Sequence, residues 1–163
     1  LLNMSNRCYG QLDIEVDSIS LNEAIATLNS LKGLPVYSSH AQRCQQLAQG
    51  LNPHYKILDN LQELNFGSWE GEYWDAIPRH ELDAWAADIW HYRVGGAETV
   101  SELRQRWLNA YQYFCQAEDE HILVISHAGI IRMALAEANI IDDTQRWTYP
   151  IHFAKPYELW LPS

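Results

Sequence analysis

The stretch VISHAGIIR (124–132) decides the fold class of this 163-residue chain. It closes the apolar run HILVIS (121–126), continuous in the manner of a parallel strand buried on both faces. His127, Ala128 and Gly129 follow, and GIIRMALAEA then repeats apolar residues at helical spacing. A strand that runs straight into a helix start is half of a β-α unit. In sheets built from such units, ligands bind at the carboxyl ends of strands, where helix N-termini also point. His127 stands at that junction, and the two small residues beside it let a ligand approach backbone N–H groups. Position alone leaves two readings of His127 open: a chemical group, or a capping or core histidine bonded to a neighbouring carbonyl.

The rest of the chain repeats the alternation. LPVYSS (34–39) and YKIL (55–58) read as short strands. SLNEAIATLNSL reads as a helix with Ser20 and Glu23 in capping-box spacing and an apolar face of Leu21, Ala24, Ile25, Leu28 and Leu31. HAQRCQQLAQG is a helix expected to stop at Gly50. A long helix follows Thr99, with Glu102 in capping-box spacing and a stripe at Val100, Leu103, Trp107, Ala110 and Phe114. Between them, residues 69–93 are polar, acidic and rich in tryptophan. They turn helical around ELDAWAADIW and are expected to form a helical cap. Gly95 and Gly96 mark a turn, and HFAKPYELWL is expected to add a last, less regular strand. Strands alternating with helices specify an α/β fold, a three-layer sandwich with a mainly parallel central sheet flanked by helices, in one domain over 1–163.

Charge narrows the partners. Eleven basic and 21 acidic residues give a net charge of -10, which disfavours nucleic acid and anionic membrane surfaces. The basic residues are eight arginines and three lysines with no run among them, so a small anion would need a local arginine cluster to hold it. No apolar stretch approaches the ~18–20 residues that span a bilayer. The opening residues LLNMSNR lack the apolar region and cleavage site of a secretory signal. Cys8, Cys44 and Cys115 are odd in number and widely spaced, which fits neither a disulfide framework nor a zinc site. A reduced, cytoplasmic protein is expected. Cys44, at helical spacing with Ala41, Leu47 and Ala48, reads as a small core residue.

Arg43 follows the LPVYSS strand in the first turn of a helix expected to be capped by Ser38 or Ser39. A cation there opposes the helix dipole at a cost of ~0.3–1 kcal/mol, which an arriving anion would offset. A solvated arginine on a helix flank is the alternative. Glu63 and Glu70 both lie in LQELNFGSWEG. A carboxyl among apolar groups has a raised pKa that suits a general acid, and spacing favours neither residue. The remaining histidines read as surface, with His40 set apart only by its nearness to Arg43. GxGxxG, GxxxxGK[ST] and GxSxG motifs are all absent, leaving nucleotide binding and serine hydrolysis unsupported.

Four stretches, in order, resemble the motifs of one family. YSSHAQRC is similar to SS-x-x-x-R, LQELNFGSWEG to L-x-E-x-x-F/Y-G-x-W-E-G, GGAET to GGES/T, and VISHAGIIR to V-S-H-G/A-G-x-x-R. Together they resemble the histidine phosphatase superfamily, in its phosphoglycerate mutase-like branch. CYGQLD, and the WEG segment followed by DAWAADIW, are similar to alpha-ribazole phosphatases. The resemblance implies a phosphomonoesterase that forms a phosphohistidine, with alpha-ribazole 5'-phosphate, a cobalamin precursor, as the narrower expectation. A broad-specificity phosphatase and a phosphoglycerate mutase-like enzyme are the alternatives within the fold. By the same resemblance Arg43 clamps phosphate, His127 is the second histidine of the site, Glu63 is the proton donor, and Ala128 lies against the substrate. It implies no metal and no organic cofactor, and a small phosphorylated metabolite as the partner; a homodimer is left open.

One motif departs. The family's nucleophile belongs to an Arg-His pair at the end of the first strand, and LLNMSNRCYGQLD contains no such pair. Three explanations compete: a segment omitted near Leu1-Leu2, which resembles the end of a first strand; a chain that begins downstream of the motif; or loss of catalysis. Retention of Arg43, Glu63 and His127 together favours the first two. The third would make the chain an inactive phosphate-ligand binding module.

Overall fold

The computed structural model describes residue 4 and residues 6–160. Leu1 and Leu2, expected to end a first strand, lie outside the described residues. Three strands, β1 (Val36–Ser38), β2 (Lys56–Ile57) and β3 (Leu123–Ile125), form a parallel sheet in the order β2-β1-β3. Its register pairs Tyr37 with Lys56 and with Val124, and Ser38 with Ile57 and with Ile125.

Side-chain alternation along the strands builds two cores, one on each face. Val36 and Ile125 pack with α1 (Ser18–Thr27) and α2 (Gln42–Leu51) through Ala24, Leu28, Cys44, Leu47, Ala48 and Leu51. Tyr37 and Val124 face the other way, toward α4 (Val100–Phe114) and α5 (Ala128–Glu137). The sheet is thus open, parallel and flanked by helices, the expected three layers. The α4 stripe of Val100, Leu103, Trp107, Ala110 and Phe114 is buried along its whole length. At ~1.5–3 kcal/mol for each large apolar side chain, this burial outweighs the tenths of a kcal/mol that intrinsic propensity contributes per residue. Thr99 and Glu102 form the expected capping box. A 3-10 turn at Gly67–Trp69 leads into residues 69–93, which carry a second 3-10 turn (Trp74–Ala76) and α3 (Arg79–Ala87), tied down where Trp69 donates Nε1–H to Glu81. No described helix is long and apolar enough to cross a membrane.

Four local expectations change. Helix α1 begins two residues early because Asp17, not Ser20, is its cap: the Asp17 carboxylate accepts the Ser20 N–H at 2.8 Å. Helix α2 continues past Gly50, whose role is steric, since a Cβ there would stand 2.3 Å from Ile25 of α1. Strand β3 is only half covered at Leu123 and Val124; among the described residues it pairs with β1 alone, so it lies at a sheet edge. Residues 152–160 form no strand; Ala154 has φ +54° and Pro156 lacks a donor, so the segment packs through Tyr157 and Leu159 instead.

Candidate active site

The β1–β3 register creates the site. Because Ser38 is paired with Ile125 and the Ser39 N–H bonds the Ile125 carbonyl, the chains leaving the two strands stay side by side. Ser39 and His127 therefore meet: Ser39 Oγ lies 2.7 Å from His127 Nε2. Arg43, one helical residue into α2, reaches the same ring from the other side, its Nη2 at 3.2 Å from Nδ1. A guanidinium only donates, so Nδ1 is the accepting nitrogen and Nε2 carries the proton toward Ser39. His127 keeps 8% of its surface. Burial, with the charges of Arg43 and Arg106 behind it, pushes its pKa down to about 3, so the ring is neutral at pH 7.

Glu63 enters from the loop after β2. Its carboxyl accepts the Leu64 N–H and the Gly129 N–H, both at 2.9 Å, and so sits on the N-terminus of α5, two residues from His127. Part of the residue is exposed, but the carboxyl itself is enclosed, and burial raises its pKa against the two N–H groups and the charges of Arg132 and Arg43. Gly129 makes this approach possible, since a Cβ there would stand 2.1 Å from Glu63 Oε1. Ser126 Oγ donates to the Leu61 carbonyl at 2.7 Å and ties the end of β3 to the same loop. Ala128 opens α5 directly after His127 and is half-buried.

Glu70 answers the question that spacing left open. Its carboxylate accepts four backbone N–H groups, from Gly10, Gln11, Leu12 and Phe66, at 2.9–3.1 Å. It is saturated as the organiser of the 10–12 loop. That loop returns its carbonyls to the site: Arg43 donates to Gly10 O and Leu12 O. Glu63, in contrast, is enclosed, and burial raises its pKa.

The other candidates fall away from this corner. His40 is two-thirds exposed and faces Asp59. Trp74 and Trp85 pack edge-on against Phe66, and Trp90 against Trp147 and over Arg146. Helix α2 takes no side-chain cap from Ser38 or Ser39; its N-cap is Ala41, and Asp13 accepts the Gln42 N–H at 3.1 Å.

The sequence profile of the histidine phosphatase superfamily (branch 1) matches residues 1–159. The chain belongs to this superfamily. Among its relatives, mouse 6-phosphofructo-2-kinase/fructose-2,6-bisphosphatase 1 is 27% identical over 141 residues, covering 83% of this chain and 30% of that protein. The chain thus spans about 30% of the length of that relative. The alpha-ribazole phosphatase of Shigella flexneri superposes with a TM-score of 0.73 at 20% identity, over 93% of this chain and 81% of that one. A phosphoglycerate mutase of Thermus thermophilus superposes with a TM-score of 0.66 at 21% identity, over 83% and 77%. These likenesses establish a phosphoglycerate mutase-like fold.

Within the superfamily frame, the four ordered motifs converge: Ser39 and Arg43, Glu63 and Glu70, Glu98, and His127 all bear on one corner of the sheet. Ser39 and Arg106 are the two residues that sequence reasoning did not place there. Ser39 had a signal, as the second serine of the SS-x-x-x-R motif, but its partner became visible only with the β1–β3 register. Arg106 had none, for it lies on the flank of a helix whose apolar stripe explained its sequence.

Proposed function

We propose that this chain carries the phosphate-binding and proton-donating part of a phosphomonoesterase that works through a phosphohistidine. The observation that carries the reading is the meeting of Arg43, a neutral His127 and an enclosed, high-pKa Glu63 at the carboxyl ends of β1 and β3. Arg43 offers a planar fork matched to phosphate oxygens. His127, once Arg43 turns to the anion, is free to take a proton on Nδ1 and become a second donor. Glu63, protonated where ordinary carboxylates are not, gives its proton to the leaving oxygen as the P–O bond breaks. The phosphoryl group passes to a histidine nitrogen, and water then attacks phosphorus and releases phosphate. By the family resemblance the nucleophile belongs to an Arg-His pair upstream of CYGQLD, and LLNMSNR contains no such pair. Arg79 and His80 are adjacent, but they open α3 in the cap segment and are exposed there.

The narrower reading is alpha-ribazole 5'-phosphate as substrate, supported by the CYGQLD and WEG similarities and by the Shigella flexneri neighbour. We place residues 69–93 as the cap over the leaving group. Its tryptophans are already engaged, Trp74 and Trp85 on Phe66, Trp85 also on Trp69, and Trp90 on Trp147, so the cap offers aromatic edges rather than a free stacking platform.

The deciding experiment measures hydrolysis by the full-length protein, with and without EDTA. The panel contains p-nitrophenyl phosphate, alpha-ribazole 5'-phosphate, fructose 2,6-bisphosphate and 3-phosphoglycerate. Turnover that survives EDTA, with radiolabelled phosphate trapped on the protein in an acid-labile, alkali-stable bond, supports the reading. Vanadate binding without turnover of any ester would assign the chain instead to phosphate-ligand binding. Neither binding nor turnover would overturn both.

A further inference from the structure

Arg106 of α4 and Glu98, just before the helix cap Thr99, form an ion pair that reaches the acid's loop from behind. The Arg106 guanidinium forms a fork with the Glu98 carboxylate, Nε to Oε1 at 2.7 Å and Nη2 to Oε2 at 3.0 Å. Its remaining donors go to three carbonyls of one segment: Nη1 to Asn60 O at 3.1 Å and Gln62 O at 2.8 Å, and Nη2 to Glu63 O at 3.2 Å. Glu98 closes the arrangement from the acid side by accepting the Asn65 N–H at 2.9 Å. Gln11, from the loop that Glu70 organises, donates to the same Glu63 carbonyl at 3.0 Å.

Three carbonyl dipoles converging on one point repel each other unless a cation sits between them. Arg106 is that cation, and both it and Glu98 are mostly buried, with side-chain exposures of 21% and 12%. The backbone on both sides of Glu63 is therefore fixed from α4, while its carboxyl is fixed on α5 by Gly129. We propose that Glu98 and Arg106 are a positioning pair, which holds the 60–65 segment so that the Glu63 carboxyl stays seated on the α5 N-terminus beside His127. The pair touches neither substrate nor reacting atoms and acts by position through Glu63, while the Arg106 charge also adds, as the smallest of three causes, to keeping His127 neutral. This inference rests on the proton-donor reading of Glu63.

A simple staple between α4 and a loop would alter stability and nothing else. A positioning pair must alter the acid. The test uses Glu98→Gln, which keeps the volume and an acceptor for Asn65, and Arg106→Lys, which keeps the charge and loses the fork. Glu98→Gln decides the matter if Arg106→Lys does not fold. In the full-length protein, NMR follows the Glu63 side-chain carboxyl against pH and the exchange of the Gly129 amide. The expected result is a Gly129 amide that exchanges about tenfold faster or more, reporting local opening. With it, the Glu63 midpoint should fall toward the ordinary carboxylate range as water reaches the group. In the active protein kcat for an alkyl phosphate should drop about tenfold, with the vanadate inhibition constant unchanged. An unchanged Gly129 exchange and Glu63 midpoint in a folded Glu98→Gln protein would overturn the inference. The NMR readouts need no turnover, so failure of the phosphatase reading and failure of the positioning pair are seen separately.

Discussion

Arg43 donates Nη2–H to Nδ1 of His127 across 3.2 Å, and this one contact sets the tautomer of the ring. It holds Nδ1 as an acceptor and turns the protonated Nε2 toward Ser39, while burial first, and the Arg43 charge second, keep the ring neutral. An anion placed between the two residues would reverse each of these conditions. The site is therefore poised for an anion, because negative charge arriving beside Arg43 is what would let the neutral ring take up a proton.

The first consequence concerns acid stability. In the unfolded chain His127 takes up a proton near pH 6.5, whereas the folded chain refuses it until the pH nears 3. Stability is therefore full above pH 6.5 and is lost as the pH falls through that window, at about 1.4 kcal/mol per pH unit. Denaturant titrations of His127→Asn between about pH 6 and 4, inside that window, should show a slope smaller than wild type by one proton. Equal slopes would mean that the ring is not held neutral.

Arg43→Ala should weaken vanadate or phosphate binding roughly 10–100-fold, the loss expected of a charge-assisted bond worth ~1.5–3 kcal/mol. Arg43→Lys should fall between, since it keeps the charge without the fork. Calorimetric titration checks both. Binding that survives Arg43→Ala intact would place the anion elsewhere.

Glu63→Gln should cost alkyl phosphates about 10²-fold or more in kcat and p-nitrophenyl phosphate far less, because nitrophenolate leaves without a proton. A general acid works only while protonated, so wild-type rates on alkyl esters should decline as pH rises through the raised Glu63 pKa. That alkaline limb should disappear in the variant. Equal losses on both esters would remove Glu63 from the proton-donor role.

A role was legible in the sequence when the residue's partner was local. The α4 stripe and the Thr99–Glu102 box are helix-periodic, and both stand as expected because each partner lies within one or two turns. The α1 cap was misplaced because Asp17, Ser20 and Glu23 all suit an N-terminus and only geometry separates them. Glu63 and Glu70 are seven residues apart in one motif, and their division of labour comes from Gly129 on one side and the 10–12 loop on the other. Those partners lie more than fifty residues away in sequence. Arg106 was illegible for the same reason: nothing near it in the chain says that three carbonyls wait opposite.

Glu70 offers the contrast to Glu63. Glu70→Gln removes one of two accepting oxygens from a carboxylate that serves four N–H groups. Each orphaned N–H costs about 1–3 kcal/mol. The melting temperature should fall by at least ~2–4 °C for each kcal/mol lost, in a chain of this size. Turnover should decline nearly equally for alkyl and nitrophenyl esters, since the loop it holds carries two Arg43 contacts and reaches the acid's segment only at the Glu63 carbonyl, through Gln11. A leaving-group dependence like that of Glu63→Gln would show that the two carboxylates had been assigned the wrong way round.

Gly129→Ala tests the seat of the acid without touching the acid. Alanine is the better helix former by up to ~1 kcal/mol, and the position lies in the first turn of α5, so the helix itself loses nothing. The new Cβ would fall 2.1 Å from Glu63 Oε1 and 3.0 Å from its carboxyl carbon, distances relieved most cheaply by a shift of the Glu63 carboxyl itself. The carboxyl must leave the α5 N-terminus, gain water and lose its raised pKa. Alkyl phosphate turnover should then fall to the level of Glu63→Gln. Vanadate binding through Arg43 should fall far less than in Arg43→Ala, since no hydrogen bond of the Arg43 guanidinium is removed. Full turnover of alkyl phosphates by a folded Gly129→Ala protein would show that the proton comes from a carboxyl that does not need this seat, and with it the case for Glu63 as the acid would fall.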